Sequence, residues 1–183
     1  MHVSPGKNIL SLLRGGDRRE IGRSDEVAAI VSKNPALFPT LFRGLWSEDR
    51  LVRMRAADAI EKVTRTFRKL LQPYKKELLG LMADSHEQEV RWHLAVMVPR
   101  LPLTPKERQR AVLLLHMYLE DRSSIVRTFA LQGLADLAQQ DASIRPNVIE
   151  LLRESARSGT PAMKARSRKL LSQFEHDLSE KNE

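Results

Sequence analysis

The chain has 183 residues and no cysteine, with 31 Lys and Arg against 23 Asp and Glu, a formal net charge of +8. This length fits one domain, and an apolar fraction of 42% can form a core, which argues against a wholly disordered chain. The composition excludes a disulfide scaffold, a thiolate nucleophile and a Cys-ligated zinc site. No apolar run approaches the roughly 20 residues of a membrane helix, and the first residues lack the apolar stretch of a signal peptide, so we expect a cytoplasmic protein with no membrane contact.

Helical periodicity runs through the whole sequence. Ala56, Ile60 and Val63 share one face at 3.6-residue spacing, and Thr104 with Glu107 forms a capping box before another such segment. No segment alternates with period two, so the sequence predicts an all-α protein. After a short helix near 7–14 that ends at two glycines, the predicted helices span 24–33, 35–46, 50–70, 73–83, 87–100, 105–120, 124–139, 146–157 and 161–178.

A Val-Arg pair recurs along these helices. It occurs at Val52-Arg53, Val90-Arg91 and Val126-Arg127, in steps of 38 and 36 residues, and Met163-Lys164 is a degenerate fourth copy after 37 more. A short polar turn precedes each copy, so each repeat is predicted to be two helices whose valine points to the core. The turns before the three Val-Arg pairs contain Asp49, Asp84 and Asp121. We expect these aspartates to pair with the arginines between repeats, which would make the arginines structural.

The acid-turn-Val-Arg-x-x-Ala/Leu pattern resembles the HEAT-repeat family over residues 34–178. The resemblance implies a right-handed α-solenoid of about four helical pairs, whose second helices line a concave face. It leaves residues 1–33 as an N-terminal helical cap and 179–183 as an acidic tail; the sequence leaves open whether 1–23 is ordered or flexible. It further implies a protein-binding scaffold; a minority of the family bind nucleic acid, and a few are DNA glycosylases.

Catalytic signatures are absent from the sequence, so we expect no enzyme and no cofactor. His86-Glu87 begins like a zinc-protease motif, but Val90 stands where the second ligand belongs. The HEAT-like glycosylases place an Asp one helical turn after a Trp; here Val96 follows Trp92 at that spacing and Arg50 follows Trp46. The catalytic residues of that family therefore do not carry over, and Asp58 and Glu61 are the acids that a third, glycosylase-like interpretation would require in the groove.

The candidate protein-binding surface lies on the helix face opposite the valine of each repeat. On the first two units this face carries Met54, Trp92 and Val96. An exposed Trp-Met-Val cluster suits an apolar side chain of a protein or peptide partner, and Arg55, Arg65 and Arg100 would form its basic rim. The alternative is that Trp92 fills a seam between neighbouring repeats.

The positive charge is concentrated in two segments, 50–76 with a net charge of +7 and 157–169 with +5, whereas 175–183 is acidic. A ridge of basic residues at the end of the first Val-Arg helix could neutralise the phosphates of a nucleic acid in a sequence-independent manner. Binding to a nucleic-acid backbone is therefore the alternative function. The sequence leaves the identity of the partner and the oligomeric state open. The ridge consists of Arg65, Arg68, Lys69, Lys75 and Lys76.

Overall fold

The computed structural model describes residues 9–17 and 20–179, and every regular element in these ranges is helical. The chain divides into two compact units, the first ending at Leu101 and the second beginning at Pro102. The all-α prediction is confirmed for the described residues. Residues 1–8, 18–19 and 180–183, which belong to the predicted N-terminal cap and the predicted acidic tail, lie outside the described ranges.

The described part of the first unit contains five α-helices and four short 3₁₀ segments. A helical turn at 9–11 precedes them. The 3₁₀ segments are Pro35–Leu37, Gly44–Trp46, Arg68–Tyr74 and Val98–Arg100. The α-helices are α1 (Ser24–Lys33), α2 (Phe38–Arg43), α3 (Arg50–Thr66), α4 (Lys75–Asp84) and α5 (Gln88–Met97).

Helix α3 is the centre of the first unit. It packs against α1, α2 and α5, and α4 packs against α5. Ala56, Ala57, Ala59 and Ile60 are fully buried, so neighbours cover most of its circumference. Small side chains let these neighbouring helices approach closely, which explains the alanine-rich sequence of this helix.

The described part of the second unit contains four helices: α6 (Pro105–Leu119), α7 (Ser124–Gln140), α8 (Arg145–Ser158) and α9 (Pro161–Ser179). Helix α6 packs on α7, α8 on α9, and α7 lies against α9. The capping box is present as predicted: the Thr104 N–H donates to Glu107 Oε2 at 2.8 Å and the Glu107 N–H donates to Thr104 Oγ1 at 3.3 Å.

The valines of the three Val-Arg pairs point into the core, as predicted. Val52, Val90 and Val126 are each at most 2% exposed. In both units the second helices of consecutive pairs pack side by side, α3 with α5 and α7 with α9.

Several predicted helix boundaries are wrong. The helix predicted at 35–46 is the short α2 with a 3₁₀ segment on either side, and the helix predicted to end at 100 ends as an α-helix at Met97. Helix α3 ends at Thr66, not at 70, and α4 begins at Lys75, because a 3₁₀ segment over Arg68–Tyr74 lies between them. Pro73 lies inside that segment. Its ring would clash with the carbonyl of Lys69 in a continuous α-helix, and it disfavours α geometry at Gln72.

Candidate functional site

The predicted Trp-Met-Val cluster is not an exposed patch. Val96 is only 8% exposed, and Met54 and Trp92 are half-buried. The Trp92 ring stacks on the neighbouring His93 ring, with centroids 3.4 Å apart. The expectation that Val96 is exposed is therefore wrong, and the three side chains do not offer an open apolar centre.

The face opposite Val52 forms a seam with neighbouring helices. Asp58 on this face accepts a hydrogen bond from Ser24 Oγ of α1 at 2.5 Å, and its other oxygen lies 3.4 Å from His93 Nε2 of α5. Lys62 Nζ lies 2.6 Å from the same carboxylate. Burial alone would raise the pKa of Asp58, but the hydrogen bonds from His93, Lys62 and Ser24 outweigh it and lower that pKa to about 2.

Ser24, Asp58 and His93 contain the three residue types of a hydrolytic triad, but their order does not suit catalysis. The carboxylate stands between the hydroxyl and the imidazole, so His93 does not contact the serine hydroxyl, as the histidine of a triad must. All three residues are also buried. Among the described residues, no group of three His, Asp or Glu side chains could hold a metal ion.

A second buried carboxylate joins the end of α3 to Arg100. Glu61 pairs with Arg65 Nη2 at 2.6 Å and with Arg100 Nη2, and Arg100 Nη1 donates to Thr64 Oγ1 at 3.0 Å. Burial would raise the pKa of Glu61, but hydrogen bonds from Arg65 and Arg100 outweigh it and hold that pKa below its usual range. The predicted basic rim thus contains two arginines already engaged with Glu61.

Arg55, the third predicted rim residue, is in the core and that expectation is wrong. Its side chain is 1% exposed. Its guanidinium donates to the carbonyl oxygens of Leu13 at 2.8 Å, Gly15 at 2.5 Å and Asp17 at 2.9 Å. A fourth, longer bond reaches the Glu20 carbonyl at 3.4 Å. Arg55 therefore fastens the segment before α1 to α3 and is not available to a partner.

The predicted phosphate ridge is partly retained. Arg65 is exposed but paired with Glu61, and Lys75 is half-buried with a partner of its own. Arg68, Lys69 and Lys76 are exposed. Arg68 and Lys69 lie on the 3₁₀ segment and Lys76 on the first turn of α4, so these three cations are the part of the ridge that remains accessible.

Arg53 and Arg91 have a structural role, and the partners of Arg53 differ from the predicted aspartate. Arg53 pairs with Glu87 at 2.6 Å and donates to the Ser47 carbonyl at 2.6 Å. Asp49 instead accepts from the Leu51 N–H as the cap of α3. Arg91 likewise donates to the carbonyl six residues before it, that of Ser85, at 2.6 Å. Arg127 departs from this pattern, because its Nε is buried without a hydrogen-bond partner in the described part of the chain.

The first unit contains an open groove of about 730 Å³, which we call the Trp46 groove. One wall is a single face of α4, on which residues recur at helical spacing. The 3₁₀ turn at Trp46 and the turn before α5 complete it. The residues that define the groove are Trp46, Glu77, Gly80, Leu81, Asp84 and Glu87.

Trp46 is held in position by other aromatic rings while half of it faces solvent. It is 50% exposed, and its ring centroid lies 5.3 Å from that of Phe42. Phe42 in turn stacks on Tyr74 at 3.9 Å. Gly80 leaves the groove open, because a Cβ at this position would have no atom within 4 Å. The groove thus combines a fixed, exposed aromatic ring with unfilled space.

The groove is acidic although the chain is basic. Arg53 and Glu87 neutralise each other inside it. Glu77 and Asp84 are exposed and make no ion pair with any described residue. They stand seven residues apart on α4, which corresponds to about 10 Å along the helix axis. The arrangement offers two accessible carboxylates beside an aromatic face.

Sequence reasoning missed this groove because it placed the binding surface on the second helices. Trp46, Glu77 and Asp84 lie on the first helices and the turns that follow them. One signal was present: Glu77, Gly80, Leu81 and Asp84 share a face, and a glycine in mid-helix lowers helix stability. The lining of the groove by that face depends on packing between helices distant in sequence.

Comparison with known protein families finds no family that matches this chain, and comparison with curated proteins finds no similar sequence. Within the described residues, no helix has the length and apolar character needed to cross a membrane.

Proposed function

We propose that this chain is a non-catalytic binding module that recognises a protein or peptide partner, and that a basic segment of the partner occupies the Trp46 groove. The observation that carries the proposal is the exposed Trp46 ring beside two unpaired carboxylates in an open groove. Aromatic residues dominate the energetics of protein interfaces. An open groove that contains such a residue favours binding.

The charges of the groove select a cationic partner. Glu77 and Asp84 have no cation of their own within the described chain, so a Lys or Arg from the partner would meet them without displacing an ion pair. An extended peptide rises about 3.3 Å per residue. Two basic residues three positions apart would therefore match the spacing of about 10 Å between the two carboxylates.

Trp46 supplies the second element of recognition. A Lys ammonium or Arg guanidinium over an indole face gains from the ring quadrupole, and partial desolvation strengthens this contact. Because Phe42 already packs on the ring, Trp46 loses little side-chain freedom when a ligand binds.

The proposal is tested by fluorescence anisotropy with a short labelled peptide in which two arginines are separated by two other residues. We expect Trp46→Ala and the double variant Glu77→Gln/Asp84→Asn each to weaken binding about tenfold or more. Gly80→Leu should block the groove and weaken binding to a similar extent, although the chain should fold normally because the position faces open space.

The matched control is Glu120→Gln, which removes one exposed carboxylate from the second unit. This variant should bind the arginine peptide as wild type does. A peptide in which glutamate replaces both arginines should not bind wild type, because Glu77 and Asp84 would repel it. If wild type fails to bind the arginine peptide, or if Gly80→Leu binds it as wild type does, the groove is not the site.

We further infer that the helical pairs form a HEAT-like solenoid, as the sequence resemblance implies. The side-by-side packing of second helices within each unit supports this inference. Small-angle X-ray scattering of the whole chain tests it, because a four-pair solenoid gives a longer maximum dimension than two collapsed units of the same mass.

Binding of a nucleic-acid backbone is the second candidate function. It is favoured by Arg68, Lys69 and Lys76, which are exposed and make no ion pair within the described chain. A mobility shift with duplex DNA at two salt concentrations tests it. Binding should weaken steeply with salt, and Arg68→Gln/Lys69→Gln should reduce it; binding that ignores salt would contradict this function.

A further inference from the structure

We propose a second docking site, in the second unit, for an acidic peptide segment that also carries aliphatic side chains. The site is an open groove of about 380 Å³ between α7 and α9, which we call the Phe129 groove. It is independent of the Trp46 groove, since the two share no residue. Its defining residues are Ile125, Phe129, Ala162, Ala165, Arg166 and Lys169.

The groove is built where α7 and α9 begin. Ser124 and Thr160, at the starts of the two helices, are joined by a hydrogen bond of 2.7 Å between their hydroxyls. Ala162 and Ala165 on α9 are small and exposed, so they leave a space that larger side chains would fill. Ile125 borders this space and is 49% exposed. The part of the groove formed by Ile125, Ala162 and Ala165 is therefore apolar and accessible.

Arg166 is held over the groove by contacts with uncharged side chains. Its guanidinium carbon lies 5.1 Å from the Phe129 ring centroid, and its Nη1 donates to Gln132 Oε1 at 2.6 Å. The Gln132 acceptor is a neutral amide, and Arg166 makes no ion pair with a carboxylate in the part of the chain that the structure describes. A fixed, unneutralised guanidinium with further N–H groups is suited to bind a carboxylate.

The surrounding charges have the same sign. Lys169 lines the groove, and Arg168 beside it is exposed. No acidic residue lines the groove, and residues 157–169 contain none. Charge complementarity therefore selects a partner that carries carboxylates, which is the opposite of what the Trp46 groove selects.

The lining favours an acidic peptide over a nucleic acid. Most of the defining side chains are apolar, so a partner made only of phosphates and sugars would leave this surface unfilled. The aromatic ring does not compensate, because Arg166 covers the face of Phe129 on which a base would stack. A leucine or isoleucine flanked by Glu or Asp would fill the space between the alanines and meet Arg166 and Lys169.

Anisotropy with a labelled peptide that carries a leucine between glutamates tests this site. We expect wild type to bind it, and Lys169→Gln and Ala165→Leu each to weaken binding about tenfold. Both positions are exposed, so these variants should retain the fold, which circular dichroism checks. Arg110→Gln, an exposed cation elsewhere in the second unit, is the matched control and should bind as wild type does.

Three outcomes would overturn the proposal. In the first, wild type does not bind the peptide; in the second, Arg110→Gln and Lys169→Gln weaken peptide binding equally. In the third, a single-stranded oligonucleotide binds more tightly than the peptide and Ala165→Leu does not weaken its binding. Trp46→Ala serves to separate the two sites. It should leave acidic-peptide binding intact, so failure of the Trp46 groove and failure of the Phe129 groove are distinguishable.

Discussion

The guanidinium of Arg55 occupies the space into which any side chain at position 22 would project. A Cβ at Gly22 would lie 2.7 Å from Arg55 Cζ, and the Gly22 backbone has a φ of +55°. Both the close contact and the left-handed backbone require glycine here. The turn before α1 and the centre of α3 are thus fitted to each other through a glycine and a buried arginine.

Gly22→Ala should therefore be more destabilising than Gly15→Ala. Gly15 also has a positive φ, of +72°, but its Cβ would meet no atom within 4 Å. We expect Gly15→Ala to cost about 1 kcal/mol for backbone strain alone, and Gly22→Ala to cost at least about 1 kcal/mol more because Arg55 must move. Urea unfolding measures both; equal losses would show that Arg55 yields without cost.

Arg55→Met should lower the free energy of unfolding by about 3 kcal/mol or more. The substitution keeps an unbranched side chain but leaves the carbonyls of Leu13 and Gly15 without their buried donor. Proteolysis within residues 13–20 should accelerate with it. Arg43→Met, at an exposed arginine, is the control and should change stability by less than about 0.5 kcal/mol.

Arg65 and Arg100 contact the same carboxylate, yet their loss should have different costs. Arg100 has a side chain that is 16% exposed, whereas that of Arg65 is 64% exposed. Arg100→Met should cost about 3 kcal/mol because Glu61 loses its buried partner, and Arg65→Met less than about 1 kcal/mol. Thermal unfolding of the two variants compares them, and similar losses would contradict the role assigned to burial.

Acid should destabilise the protein in part through Asp58. Its pKa is lowered from 3.8 to about 2 in the folded state, so the ionised carboxylate stabilises the fold above pH 4 and this contribution is lost as the pH falls toward 2. It amounts to about 2 kcal/mol. Asp58→Asn should have a shallower loss of stability between pH 4 and pH 2 than wild type. This variant should still lose some stability in acid, because the pKa of Glu61 is also lowered in the folded state.

Gly80→Ala should stabilise the protein by up to about 1 kcal/mol. The position lies inside α4 with a backbone that alanine adopts, and its Cβ would face open space. Urea unfolding measures the gain. A loss of stability would mean that the wall of the Trp46 groove needs glycine for packing rather than for access.

Much of the fold could be predicted from local sequence signals. The capping box at Thr104, the buried valines and most helix boundaries follow from spacing within a few residues. The pattern predicts an exposed face opposite Val52, whereas this face is largely buried. Its exposure depends on which helix packs beside it, and Asp58 and Glu61 show that a seam between helices can be charged and buried.

The candidate sites were less predictable for the same reason. Arg55 looks like a surface residue by type, since arginine is rarely fully buried. Its acceptors are backbone carbonyls about 40 residues away in sequence. Because every residue has a backbone carbonyl, no residue type in the sequence identifies these acceptors. Trp46 was visible as an aromatic residue, but only the arrangement of α4 and α5 around it distinguishes a groove from a core position.

The acceptors of Arg55 also bear on how the N-terminal segment tolerates substitution. Every residue type contributes a carbonyl oxygen, so the exposed side chain of Glu20 can be exchanged while its bond to Arg55 persists. A side chain at position 22 would require Arg55 to move, and position 55 needs arginine for its fork of donors. Related sequences could therefore differ in the side chains of this segment while its backbone contacts with Arg55 persist. Sequence variability at these positions would not indicate that the segment is disordered.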